Sequence, residues 1–152
     1  MMSRATSVTV DVLREWLAYD AATGELIWRK GNGRPMAGQR AGYIAAAGHR
    51  VLKIGGNRFY AHRVAWALHH GKWPPNDREI DHVNGQRDDN SAANLRLATK
   101  SQNLANAKRP AHNTSGTKGV TWCKRDKKWK AQIRHQGKRI NLGYFEHLEA
   151  AA

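Results

Sequence analysis

Glu79-Ile80-Asp81-His82-Val83-Asn84-Gly85, followed by Asp89-Asn90, Asn94-Leu95-Arg96 and Gln102-Asn103, is the stretch that decides the fold. Arg78 to Val83 reads as a short strand. Asn84-Gly85 is a strong turn signal, because both residue types tolerate positive φ. Asn94 to Ala98 fits a return strand. Thr99 with Gln102 three residues later forms a capping box, which starts a helix that runs to about Ala107, and Pro110 closes the segment. Residues 79–108 thus read strand, loop, strand, helix.

That order places a carboxylate beside an imidazole. Hydrolysis of a phosphodiester needs an attacking water, a base to take its proton and a cation to stabilise the leaving oxygen. Histidine suits the base, with an unperturbed pKa of about 6.5. Aspartate and the asparagine amide offer hard oxygen donors that suit Mg²⁺. Neighbouring strand residues point to opposite sides, so Asp81 and His82 can divide the work between metal and water. Folding the following helix onto the hairpin would bring Asn103 opposite Asp81. An isolated Asp-His is most often a turn residue beside a satisfied strand-end histidine. The register of Asn94, Asn103 and the capping box argues for chemistry here.

Working outward, the charge is uneven. The whole chain carries +14 with a pI near 10.5, which favours a polyanionic partner, nucleic acid first. Residues 81–107 hold three basic and three acidic side chains. They lie between a segment with eight basic against two acidic residues (31–80) and one with eleven against three (108–152). A site that holds a divalent cation between arms that hold phosphates has this charge pattern. Cys123 is the only cysteine, which excludes disulfide frameworks and cysteine-rich zinc sites within one chain. With no membrane-length apolar run and no signal-peptide core at Met1 to Val10, a soluble protein of a reducing cytoplasm is expected.

The 152 residues suggest an α+β chain of small modules. An N-terminal β-rich module (1–58) begins with a helix over Thr9 to Tyr19. Strands follow over Glu25 to Trp28, Ala41 to Ala46 and Val51 to Ile54. The hairpin and helix fall in 59–108, entered through a segment, Phe59 to His70, that is helical by its end. A linker (109–116) leads to a C-terminal module (117–152) of three strands, Gly119 to Lys124, Trp129 to His135 and Lys138 to Leu142, and a helix after Glu146. Period-two alternation separates Val120, Trp122, Trp129, Ala131, Ile133, Ile140 and Leu142 from Lys130, Gln132, Arg134, Arg139 and Asn141. The apolar face needs a cover, which the last helix supplies. The polar face suits a DNA major groove, or is a solvated charged face.

The central residues resemble the HNH nucleases, and within them the phage and intron-homing branch, through Asp-His-x-Asn-Gly, Asp-Asn, Asn-Leu-Arg and a helical Asn. The resemblance covers residues 60–108 and implies a β-β-α-metal motif. It implies His82 as general base, Asp81 and Asn103 as ligands of one Mg²⁺ (or Mn²⁺), and Asn94 as the brace of the loop, with no structural zinc. Asn106 is a lesser candidate than Asn103. His62 and Arg63, a His-Arg pair that recurs before the motif, contact a phosphate or brace the site. Asp88, Asp89 and Asn90 read first as loop residues bonded to their own backbone, with metal ligation as the alternative. The C-terminal run Gly119-Val120, Trp129 to Ile133 and Leu142 to Phe145 resembles an apetala-type DNA-binding domain. That resemblance implies DNA contacts from Arg125, Lys130, Gln132, Arg134, Arg139 and Asn141. Against the family pattern the last helix reads as truncated at Ala152. Residues 10–60 carry a weaker likeness to the N-terminal part of the same phage nucleases, with Arg40 and Arg50 among the cations that could follow a DNA backbone.

The expected activity is hydrolysis of double-stranded DNA by a monomer, with in-line attack by water activated at His82. One metal site per chain points to nicking. The alternative is a non-catalytic sequence-specific DNA-binding protein that uses the hairpin only as scaffold.

Overall fold

In the computed structural model, residues 8–31, 36–107, 113–135 and 137–152 are described. Among the described residues the chain is α+β, with four small antiparallel sheets and short helices. It separates into two compact units, Met1–Lys100 and Ser101–Ala152.

The first unit opens with α1 (Val10–Trp16), capped by Thr9, whose hydroxyl accepts from the Val12 N–H. The helix is shorter than the periodicity of Leu13, Trp16 and Leu17 suggests. At Leu17 the backbone turns extended, and β1 (Leu17–Tyr19) pairs with β2 (Leu26–Trp28) in the register Leu17 to Trp28 and Tyr19 to Leu26. A partner strand outcompetes the last helical turn, which is how tertiary pairing overrides local preference. A second sheet is β3 (Tyr43–Ile44), β4 (Arg50–Ile54) and β5 (Asn57–Tyr60). It leads directly into α2 (Ala61–His70), which ends at Gly71 in the left-handed conformation (φ +70°). Leu13, Leu17, Leu26, Trp28, Leu52, Ile54, Phe59 and Val64 form one buried cluster. The core therefore runs continuously from the N-terminal strands into α2. Leu13, Leu17, Leu26 and Leu52 are at most 1% exposed, so truncating any of them to Ala should cost about 2–5 kcal/mol.

On this base sits the hairpin. β6 (Glu79–His82) pairs with β7 (Leu95–Ala98), and a 3₁₀ turn (Ala92–Asn94) precedes the return strand. Ile80 and Leu95 pack on Ala65 of α2, which fixes which face of the hairpin looks inward. The helix α3 (Lys100–Asn106) follows.

In the second unit β8 (Val120–Cys123), β9 (Lys128–His135) and β10 (Lys138–Phe145) form a three-stranded sheet with β9 in the middle. A short α4 (Leu148–Ala151) follows. Val120, Ala131 and Ala151 make its small core, with Trp129, Phe145 and Leu148 packed against it. A bulge between Asn141 and Gly143 shifts the register. Leu142 falls out of the apolar row as a result: Gly143 takes its place opposite Ala131, and Phe145 rather than Tyr144 pairs with Trp129. Ile133 and Ile140 stay exposed beyond the reach of α4. No described helix is long and apolar enough to cross a membrane.

Candidate active site

Asp81 and His82 are neighbours on β6, 4% and 5% exposed. Strand alternation puts His82 on the side of Ile80 and Asp81 on the other. The cross-strand partner of Asp81 is Arg96, whose Nε (2.9 Å) and Nη2 (2.7 Å) both donate to Asp81 Oδ2. A buried carboxylate needs such a partner, and this one also fixes the orientation of its plane.

His82 Nε2 lies 3.1 Å from Asn90 Oδ1. The Asn90 amide is oriented by its Nδ2, which donates to the Asp88 carbonyl. Its oxygen can only accept, so Nε2 of His82 carries the hydrogen and the ring's lone pair sits on Nδ1. Asn90 is 1% exposed and is the side chain that the sequence reading undervalued. Asn94 spans the same loop: its Oδ1 accepts from the Asn84 N–H (2.9 Å) and its Nδ2 donates to the Asp89 carbonyl (2.7 Å). Asp89 accepts from Asn84 Nδ2 (2.7 Å) and from the Ser91 hydroxyl (2.7 Å). These bonds, led by the Ser91 hydroxyl, hold the Asp89 carboxyl below its ordinary range.

The N-terminal strands grip this loop from outside. Tyr19 Oη donates to the Asn90 carbonyl (2.9 Å), and the Ala92 N–H to the Ala21 carbonyl (2.8 Å). Burial, helped by Asp20 and Asp89, raises the Tyr19 hydroxyl to about 12, so it stays a donor. Gly24, at φ +79°, lies so close that a Cβ there would stand 2.2 Å from Ser91 N and 2.3 Å from the Asn90 carbonyl carbon. Arg50 reaches Asp88 with Nε (2.8 Å) and Nη2 (3.2 Å), and Arg40 adds a third contact at 3.3 Å. Two cations expected along a DNA backbone are thus occupied in holding the loop, and Arg50 is only 11% exposed. Arg87 donates to the Ala47 carbonyl from the other side.

His62, in the first turn of α2, is buried, stacked on Tyr60 and edge-on to His82 at 5.3 Å. Burial first, then the nearby His82, His49 and Arg63, pushes its pKa down to about 3. His49, which the sequence reading did not single out, joins the same group. Burial, Arg87 and His82 lower its pKa. Arg63 is half-buried and donates to the Pro74 carbonyl (3.4 Å). Asn103 and Asn106 lie on α3, in the second unit, so the first unit brings together Asp81, His82, Asn94 and His62 from the expected set.

In the second unit Lys130, Gln132, Arg134, Arg139 and Asn141 share one face of the sheet, set by the pairs Gln132 to Asn141 and Arg134 to Arg139. Arg134, Arg139 and Asn141 are exposed, and Lys130 Nζ lies 5.7 Å over the Tyr144 ring. Arg125, in the β8–β9 turn, bonds Asp126 at 2.9 Å and 3.1 Å.

The hairpin thus carries an adjacent carboxylate and imidazole over an asparagine-braced loop, and α3 follows it in sequence. Residues 59–105 match the model of an HNH endonuclease family. Protein 3.8 of Escherichia phage T7 is 35% identical over 91 residues, covering 60% of this chain and 74% of that protein. This chain belongs to the HNH endonuclease family. It is also similar to a solved structure titled as DNA binding and cleavage by the HNH homing endonuclease I-HmuI. That match has 25% identity and a TM-score of 0.47, covering 65% of this chain and 55% of the other.

Proposed function

We propose that the chain is a divalent-metal-dependent DNA endonuclease with His82 as its general base. The observation that carries this reading is the Asn90 amide on His82 Nε2 at 3.1 Å. It supports a fixed tautomer whose Nδ1 lone pair receives the proton of an attacking water. The donor chemistry suits a hard cation: the carboxylate of Asp81, oriented by Arg96, and the amide oxygen of Asn103 are oxygen ligands for Mg²⁺ or Mn²⁺. Bound there, the cation would stabilise negative charge on the leaving 3′-oxygen. Asn94 keeps the loop closed, so that Asn90 stays on His82. His62 and Arg63 serve as a brace beside the site.

The apetala-like sheet supplies DNA affinity through Lys130, Gln132, Arg134, Arg139 and Asn141, with Arg125 at its edge. The charge of +14 supports this division of labour. A single catalytic centre per chain favours nicking by a monomer on double-stranded DNA, as in phage-borne homing enzymes.

The deciding experiment is plasmid cleavage with Mg²⁺, with EDTA and with His82→Ala. Wild type should nick only with metal, and the variant should be slower by about 10²–10⁴-fold while retarding the plasmid equally in a gel. Equal inertness of both proteins with binding intact would leave the non-catalytic DNA-binding reading standing.

A further inference from the structure

Three histidines from three separate elements converge beside the site. His49 immediately precedes β4, His62 opens α2 and His82 ends β6. Their ring centroids are 5.1 Å apart (His49 to His62), 5.3 Å (His62 to His82) and 5.8 Å (His49 to His82). One ring nitrogen from each lies within 4.8 Å of the others. His62 and His82 are buried, and His49 is half-buried.

Hydrogen bonding provides a second, independent observation. Among the described residues three buried side-chain polar atoms lack a partner, and two of them are Nδ1 of His49 and Nδ1 of His62. A buried polar nitrogen without a partner typically costs about 1–3 kcal/mol, so two in one cluster need an explanation, and a bound cation supplies one. Packing alone does not explain them, since a phenylalanine would fill the same edge-to-face positions without that cost.

We propose that His49, His62 and His82 form a nitrogen-donor site for a borderline d-block cation such as Zn²⁺, and that filling it silences the nuclease by taking the His82 lone pair. Three imidazoles and an open fourth position are a recurrent Zn²⁺ donor set. Zn–N bonds of about 2.0–2.1 Å in a tetrahedron place the ligand nitrogens ~3.3 Å apart. The ring nitrogens stand within 4.8 Å of one another, so binding a cation draws the three rings closer together. Mg²⁺ prefers oxygen donors and keeps its waters, so the two cations sort by ligand type: Mg²⁺ at Asp81, Zn²⁺ among the histidines. A neutral imidazole has one lone pair, and a cation that holds it leaves His82 unable to accept a proton. The silencing half of the proposal rests on His82 being the base; the binding half does not.

The test uses the untagged full chain, stripped with EDTA and titrated with Co²⁺ as the spectroscopic stand-in for Zn²⁺. Wild type should take up one equivalent with the intense visible absorption of a tetrahedral ion. His49→Phe should lower the affinity by about tenfold or more, since even outer-shell partners of metal ligands act on that scale. Asp81→Asn should keep the absorption, because the oxygen-donor site is not involved. His49 is only half-buried, and circular dichroism of each variant checks the fold. Wild type without the tetrahedral absorption, or wild type and His49→Phe binding alike, would overturn the site.

A second arm adds Zn²⁺ to plasmid cleavage at fixed Mg²⁺, with each protein referred to its own rate in Mg²⁺ alone. Wild type should be inhibited at lower Zn²⁺ than His49→Phe. Binding without inhibition removes the silencing claim. Binding by a protein that never cleaves DNA removes the endonuclease reading and leaves the metal site.

Discussion

The loop from Asn84 to Asn94 and the polar face of the C-terminal sheet are both rich in hydrogen-bonding side chains, but they use them in opposite ways. In the loop, Asn90, Asn94, Asp88 and Asp89 are all engaged with the protein itself. On the sheet, Arg134, Arg139 and Asn141 project into solvent. The first arrangement is costly to assemble and holds one imidazole in one orientation, which fits the proposed base. The second leaves long cationic side chains adaptable, which fits the proposed contacts to a polyanion.

The contrast breaks most sharply at Asn90. Asn90→Ala should slow plasmid nicking by about 10–100-fold, the scale of a lost orienting partner, with DNA affinity unchanged. Asn90→Asp separates positioning from mere folding. A carboxylate beside the ring favours its protonated form, so the acid limb of the pH–rate profile should move to higher pH. An unmoved limb would mean that Asn90 only fills space.

Gly24 tests the same side from outside the motif. Gly24→Ala forces a Cβ into the Asn90–Ser91 backbone at a positive φ, and should cost about 2 kcal/mol or more, seen as a lower urea midpoint. An unchanged midpoint would mean that the loop is not seated on the Asp20–Gly24 turn. On the sheet, Lys130→Ala with Arg134→Ala should weaken plasmid affinity by roughly tenfold. It should also lower the slope of log Kd against log salt by about two, with thermal stability barely changed. Metal binding should be untouched.

The smallest effect comes from acid. The unfolded chain protonates His62 near its ordinary pKa of about 6.5, and the folded chain only at about 3. Above the unfolded value His62 neither helps nor harms, and as pH falls from there towards about 3 stability is lost. In EDTA, moving from about pH 7.5 to about 5.5 should cost wild type roughly 1 kcal/mol through this residue, a loss that His62→Phe should lack.

How much of this was legible in the sequence follows the range of the interactions. The strands of the β6–β7 hairpin, the turn at Asn84-Gly85 and the helix after Thr99 are each marked by their own residues. The fate of Leu17 is not local: its helical spacing gave way to a strand eleven residues away at Trp28. The bulge at Leu142 escaped a strict period-two reading because nothing in its side chain marks an extra residue. Asn84, Asn90 and Asn94 look alike in a loop, and only the fold decides which amide meets His82. His49 was invisible for the same reason, since a histidine thirteen residues before another carries no spacing signal.

The grip of Tyr19, Gly24, Arg40 and Arg50 on the loop limits how the gene can be recombined. The matched segment begins at Phe59, yet these four residues, which hold Asp88, Asn90 and Ser91, lie upstream of it. The catalytic piece is therefore not a portable cassette. A fusion that keeps residues 59–105 and exchanges what precedes them inherits Asp81, His82 and their direct partners Arg96 and Asn90, but not the outer contacts that seat the loop. Exchanges after α3 leave those contacts alone, so the loop tolerates recombination on its C-terminal side better than on its N-terminal side.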